Sequence, residues 1–239
     1  MNLSKDKVAI VIPVKDGLEF LKLCLYSVLY FTDYPYTLTV VDNMSGFKTK
    51  KFLRSLSQNY PIKVIRYDEE FNFAAECNIG LCKAFYMTDV KYGLILNADT
   101  IVEPGWLTKM VEALESQPTA GIIGPATNKG MHEQTVSKKD ELLETRRVSG
   151  FCMMFYRATY ERLCRFDESF KGGGFEDWDF CERAYQLGVK SLVLRSVYIH
   201  HFWKVFRRGD HDEAMRENEK RFFAKHPHLL KEVERSAGV

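Results

Sequence analysis

Short apolar runs without polar alternation, each followed by a stretch of helical periodicity, leave this chain few folds to choose from. Val8-Ala9-Ile10-Val11-Ile12-Pro13-Val14 is the first such run, and a β-branched segment that lacks a polar face reads as a strand covered on both sides in a parallel sheet. Leu18, Leu21, Leu25, Val28 and Leu29 then recur at helical spacing. Leu38-Thr39-Val40-Val41-Asp42 follows the Tyr34-Pro35 break as a second strand and completes a βαβ unit. The pattern repeats with Lys63-Val64-Ile65-Arg66-Tyr67 as strand, Ala75, Ile79, Cys82 and Tyr86 as a helical stripe, and Tyr92 to Leu96 as strand. Pro104 suits the first turn of a helix whose apolar face is Leu107, Met110, Val111 and Leu114. Strand and helix alternate to about residue 115, which implies a mostly parallel sheet with right-handed crossovers.

The second half is less regular. Gly121 to Pro125, Val148 to Tyr156 and Ser191 to Phe202 read as strands, and the polar interval Thr127 to Arg147 as an irregular surface excursion. Glu176 to Leu187 has helical spacing and stops at Gly188. From Gly209 the chain is charged, with Met215, Phe222, Phe223, Leu229 and Leu230 as its sizeable apolar groups. A terminal helix packing on the body accounts for them better than a basic membrane-surface helix, since Glu217, Glu219, Glu232 and Glu234 interrupt the positive face. The expected organisation is one domain over 1–208, with a regular first half to about 115 and a second half from about 116, and a helical extension over 209–239 packed on it.

A chain of 239 residues with 46% hydrophobic content can bury a sizeable core, and a net charge of +2 exerts no general pull on nucleic acid or an anionic membrane. The six cysteines form no CxxC pair and mostly fall in apolar segments, as reduced core residues do. The apolar run behind Lys5-Asp6-Lys7 is too short for a signal peptide or a membrane span, so no transmembrane segment is expected and the location is read as cytoplasmic or peripheral to a membrane. Nothing in the sequence bears on oligomeric state.

Chemistry-bearing residues gather where strands end. Leu94-Ile95-Leu96 runs directly into Asn97-Ala98-Asp99-Thr100, and in an open α/β sheet ligands bind outside the carboxyl ends of the strands. A carboxylate there is costly unless it meets a cation or hydrogen-bond donors; the bland alternative is a cap on the helix entered at Pro104. Lys171-Gly172-Gly173-Gly174-Phe175-Glu176-Asp177-Trp178-Asp179 places a glycine hinge before three acids and an indole. At a helix N-terminus the dipole favours ionised carboxylates, as a general base requires, although capping would also use one of them. His200-His201 ends a strand, and alternation sends the two imidazoles to opposite faces, so at most one joins an inner site. Asp42, before the turn-prone Asn43-Met44-Ser45-Gly46, could accept from a nucleobase or ribose or cap the next helix.

Taken in order, these segments resemble the family 2 glycosyltransferases of GT-A fold, bacterial rhamnosyltransferase-like members in particular, from Val8 to about Pro227. Val11-Ile12-Pro13-Val14-Lys15-Asp16 is similar to the opening strand and nucleotide loop, and Val40-Val41-Asp42-Asn43-Met44-Ser45 to the "VDNGS" element. Asn72 to Gly80 is similar to the "N-x-G-x-x-x-x-N-x-G" segment. Leu96-Asn97-Ala98-Asp99-Thr100 with Pro104-Gly105-Trp106-Leu107 is similar to the "LNNDT…PGWL" form of the DxD motif. Val148 to Met154, Phe166-Asp167-Glu168 and Gly173 to Asp177 resemble the acceptor-side strand, the "FDE" turn and the "GGxED" motif.

The resemblance implies a GT-A-type, mostly parallel sheet flanked by helices with an antiparallel acceptor-side extension. It implies a metal-dependent inverting transfer of sugar from a nucleoside-diphosphate donor of UDP, dTDP or GDP type to a hydroxyl acceptor, a glycan. By the same likeness Asp99 and His200 would ligate Mn2+ or Mg2+. Pro13, Val14, Lys15, Asp42, Asn72, Asn78, Asn97, Ala98 and Asp99 would line the donor, Asp177 would be the base, and Gly174, Glu176 and Trp178 would hold the acceptor. Asn97 stands where the first DxD aspartate would, which removes one anionic ligand, so metal and nucleotide are expected to bind as one complex. A nucleotidyltransferase would gather more basic residues near Pro13 than Lys15 alone, and a non-catalytic nucleotide-sugar-binding module is the remaining alternative.

Overall fold

Every apolar run of the first half becomes a strand of one eight-stranded sheet. The computed structural model describes residues 6–129, 132–135, 142–203 and 211–230. β1 (Val8–Val14), buried along its whole length, pairs in parallel with β2 (Tyr36–Asn43) on one side and β4 (Tyr92–Leu96) on the other, and β3 (Ile62–Tyr67) extends the sheet beyond β2. Helices α1 (Leu18–Phe31), α2 (Phe47–Asn59) and α3 (Phe73–Met87) make the crossovers. Period-two alternation with apolar residues on both faces builds two cores. Ile10 and Ile12 pack with Leu21, Leu25 and Trp106 on one side, and Ala9 and Val11 with Cys77, Leu81 and Phe155 on the other.

After β4 the chain turns out through β5 (Thr100–Ile101) and returns by α4 (Trp106–Glu115), β6 (Ala120–Ala126), β7 (Leu142–Thr145), β8 (Cys152–Tyr156), α5 (Arg157–Arg162), α6 (Glu176–Gln186) and β9 (Lys190–Tyr198). The strand order is β3-β2-β1-β4-β8-β6-β9-β7, with β8 antiparallel to both β4 and β6, β9 parallel to β6, and β7 antiparallel at the edge. β10 (His200–His201) pairs antiparallel with β5 in a small second sheet. α7 (His211–Lys225) lays Phe222, and beyond it Leu229, against Phe170 and Phe175. Among the described residues no helix is long and apolar enough to cross a membrane.

Several expectations are corrected. The expected stripe of α3 holds at Ala75, which is buried, and at Ile79, which packs against the core, but Tyr86 is 85% exposed, and the main buried face is Ala74, Cys77, Leu81, Ala84 and Phe85. The strand expected from Val148 starts only at Cys152, since Ser149 and Gly150 spend their N–H groups on side chains. The excursion 127–147 carries a short 3-10 turn and β7 at its described positions, the rest lying outside the described residues. The run from Ser191 breaks at Ile199, whose N–H goes to the Ala126 carbonyl, and its end pairs with β5 instead. Leu230 stays 43% exposed.

Candidate active site

The parallel strands β1, β2 and β4 end together, and the residues just beyond them are stitched into a cradle. Val14 registers with Asp42. The Asp16 N–H donates to Ser45 Oγ (2.8 Å), and the Gly46 N–H to Asp16 Oδ1 (2.6 Å), which ties the loop after β1 to the loop after β2. Asp42 accepts from the Ser45 N–H (3.0 Å) and from the Arg66 guanidinium of β3. Its capping alternative is excluded, because α2 begins at Gly46 with no side-chain cap. Lys15 is half-buried and pairs with Glu70. Asn72 is the N-cap of α3: its Oδ1 accepts from the Ala75 N–H (2.9 Å) and its Nδ2 donates to the Glu168 carbonyl (2.7 Å).

Two donor-side expectations place residues inside the fold instead. Asn78 is buried with both amide donors used, on the Phe166 carbonyl and Glu168 Oε1, and its Oδ1 accepts from Tyr160 Oη and the Phe166 N–H. An amide so occupied has nothing left for a ligand, and it staples α3 to the 160s turn. Ala98 is a core side chain.

Asp99 is 2% exposed and does not cap α4, whose N-cap is Gly105. Its Oδ1 lies 3.2 Å from His201 Nε2 without hydrogen-bond geometry. The imidazole beside Asp99 is therefore His201, and the expectation for His200 is corrected: His200 turns to Tyr198 and Phe202 on the other face of β10. Register decides this, because β10 pairs His201 with Thr100 and His200 with Ile101. His201 is held by a reciprocal pair of hydrogen bonds with Asn128, which accepts its N–H (2.8 Å) and donates to its carbonyl (3.0 Å), and by stacking on Phe151 at 5.0 Å. Neither Asn128 nor Phe151 carries a signal in sequence. Asn97 Nδ2 lies 3.3 Å from His201 Nε2. Three buried polar atoms here, Asn97 Oδ1, Asp99 Oδ1 and His201 Nδ1, have no hydrogen-bond partner among the described residues. Buried polar atoms are ordinarily satisfied, so such a cluster points to a bound group.

Across the loop before β8 stands the second acidic centre. Asp177 Oδ2 accepts the Gly150 N–H (2.7 Å) and Oδ1 the Trp178 N–H (2.8 Å). A Cβ on Gly150 would come within 3.3 Å of Asp177 Cβ, so a bare backbone lets the two meet. Glu176 Oε2 has no partner. Burial works against the helix dipole and pushes both carboxyls upward, and like charge adds to it at Glu176. The Gly150 and Trp178 N–H groups favour charge on Asp177. Gly172, Gly173 and Gly174 all have left-handed φ (68°, 80° and 102°), and Asn218 of α7 donates to the Gly174 carbonyl (3.0 Å). Trp178 packs on Phe175 and Phe222.

Residues Gly150 and Phe151 join the two centres. Gly150 donates to Asp177, while the next residue's carbonyl accepts the Asn97 N–H (2.7 Å) and its ring carries His201. The sequence matches the model of Glycosyl transferase family 2 over residues 9–175. The chain belongs to that family. The chondroitin synthase of Escherichia coli is 24% identical over 258 residues, covering 89% of this chain and 37% of the synthase. GalNAc-T7, crystallised with UDP, GalNAc and Mn2+, superposes with a TM-score of 0.73 at 16% identity, over 95% of this chain and 51% of that one. A mannosyltransferase from Pyrobaculum calidifontis in complex with GDP-Man and Mn2+ gives 0.69 at 18% identity, over 86% and 59%. These likenesses establish the GT-A arrangement, and the family 2 chain described here spans little more than half of the solved relatives and about a third of the synthase.

Proposed function

We propose that this family 2 chain transfers a sugar, with inversion, from a nucleoside-diphosphate donor to a hydroxyl of a glycan acceptor, with a divalent cation at Asp99. One observation carries the reading: a single loop, 149–151, touches Asp177 with one residue and Asn97 and His201 with the next, so the two acidic centres hang on adjacent residues of the same loop.

The donor set fits a divalent cation. Asp99 and His201 offer one oxygen and one nitrogen, the Asn97 and Asp99 oxygens are unsatisfied, and no third His, Cys, Asp or Glu joins them among the described residues. Two protein ligands fall short of a full shell, so diphosphate oxygens and water would supply the rest, which is why donor and cation would bind together. When bound, the cation would stabilise the charge that develops on the departing diphosphate. Pro13, Val14, Lys15 and Asp42 would bind the nucleotide in the cradle of β1 and β2, and the ligands of the solved relatives make UDP- and GDP-sugars the first donors to try.

On the acceptor side, Asp177 would take the proton of the attacking hydroxyl, its orientation fixed by the Gly150 and Trp178 N–H groups. The oxygen would bond the anomeric carbon as the bond to diphosphate breaks on the opposite face, which inverts the centre. Glu176, holding its proton, would donate to the acceptor, and Trp178 would offer a ring face. Asp177→Asn keeps one acceptor oxygen for the two N–H groups and removes the base. Its transfer rate should fall by about 100-fold or more, with UDP or GDP binding retained; unchanged turnover would remove Asp177 from this role.

A further inference from the structure

Arg147 has no acidic partner among the described residues. The guanidinium is half-buried, its carbon 4.1 Å from the Trp178 ring centre and 5.6 Å from that of Phe222. It makes no ion pair or side-chain hydrogen bond among the described residues, whereas Arg66, Arg146 and Arg183, equally enclosed, are paired with Asp42, Glu182 and Asp179. The acids whose charge reaches Arg147 are Asp177 and Glu182, and both are already held. Asp177 is held by the N–H groups of Gly150 and Trp178, and Glu182 by Arg146 and His228. Burial works against the guanidinium charge at this place. A guanidinium stacked on an indole keeps its N–H donors in its own plane, free at the rim, which is the geometry that meets a carboxylate or phosphate with two parallel bonds.

We propose that Arg147, stacked on Trp178 beside Asp177, binds an anionic group, a carboxylate or a phosphate, carried by the acceptor sugar. The proposal rests on the transfer reading above and gives it a substrate class: an acidic or phosphorylated glycan end. A neutral acceptor would leave the arginine unanswered, whereas an anionic one would be drawn in with its ring on Trp178.

The test uses the full chain with UDP and Mn2+, titrated with methyl glucuronide, glucose 6-phosphate and methyl glucoside. The wild type should bind one of the two anionic probes about tenfold or more tightly than the neutral one, and which of the two identifies carboxylate or phosphate. Arg147→Gln should abolish that preference, and Arg147→Lys, a point charge without the fork, should restore part of it. Each variant's melting temperature is read alongside; should Arg147→Gln not fold, Arg147→Lys alone still decides, by a reduced preference. Equal binding of all three probes by the wild type, or a preference that survives substitution, overturns the proposal, as does a shifted pH profile of transfer with unchanged probe discrimination. Failure of the transfer reading shows separately, as absence of turnover with every donor while the binding preference stands.

Discussion

Glu76 shows at residue scale how the donor cradle is kept rigid. It is 7% exposed on α3, and its Oε1 accepts from Asn43 Nδ2, whose amide also clamps Phe71 through the N–H and carbonyl. Burial pushes the Glu76 carboxyl up to about 8. Between the ordinary carboxylate range and that value the folded chain holds a proton that the unfolded chain has released. The contribution is thus complete below the unfolded value and is lost as pH rises towards about 8. Glu76→Gln keeps the acceptor for Asn43 and never ionises. Urea unfolding at about pH 5.5 and about pH 8.5 should show a smaller loss of stability in the variant than in the parent, by an amount on the order of a few kcal/mol. Equal losses would mean that Glu76 is ionised in the folded chain.

At the scale of elements, α3 depends on Gly80. A Cβ there would lie 2.3 Å from Val11 Cγ1 and 3.0 Å from Val41 Cγ2, so the helix backbone rests directly on β1 and β2. Gly80→Ala should cost roughly 1–3 kcal/mol in chemical denaturation, and unaltered stability would place α3 further from the sheet. The same contact explains what could be read in advance. Strands β1 and β4 are legible because both faces are buried and their residues are almost uniformly apolar. The face of α3 is not, because its contact is made by small residues, Ala74 and Gly80, which periodicity undervalues beside Ile79 and Tyr86. β10 is equally opaque: the chain leaves β9 at Ile199, whose N–H goes to the Ala126 carbonyl, and the register of β10 on β5 then brings His201 and not His200 to Asp99.

Across the whole molecule, the charged C-terminal segment is tied to α6 and the glycine hinge before it. Asp179, fully buried on α6, accepts from Arg183 (2.7 Å), Lys225 (2.7 Å) and His226 (2.9 Å), and Asn218 clips the glycine hinge before Glu176. Strand-end acids and the glycine-acid cluster were visible as sequence because each breaks an apolar run; their convergence rests on the 149–151 loop, whose backbone donors leave no trace in residue types. The cation site at Asp99 and His201, on which the transfer reading depends, is tested most directly by the melting-temperature shift that UDP or GDP produces with and without Mn2+ in the parent chain, Asp99→Ala, His201→Ala and His200→Ala, each against its own baseline. At about a hundredfold excess over Kd the parent should rise by roughly 5–10 °C, and only with nucleotide and metal together. The account predicts that His200→Ala keeps this joint shift while Asp99→Ala and His201→Ala lose it. A joint shift that survives in Asp99→Ala and His201→Ala, or disappears in His200→Ala alone, would contradict it.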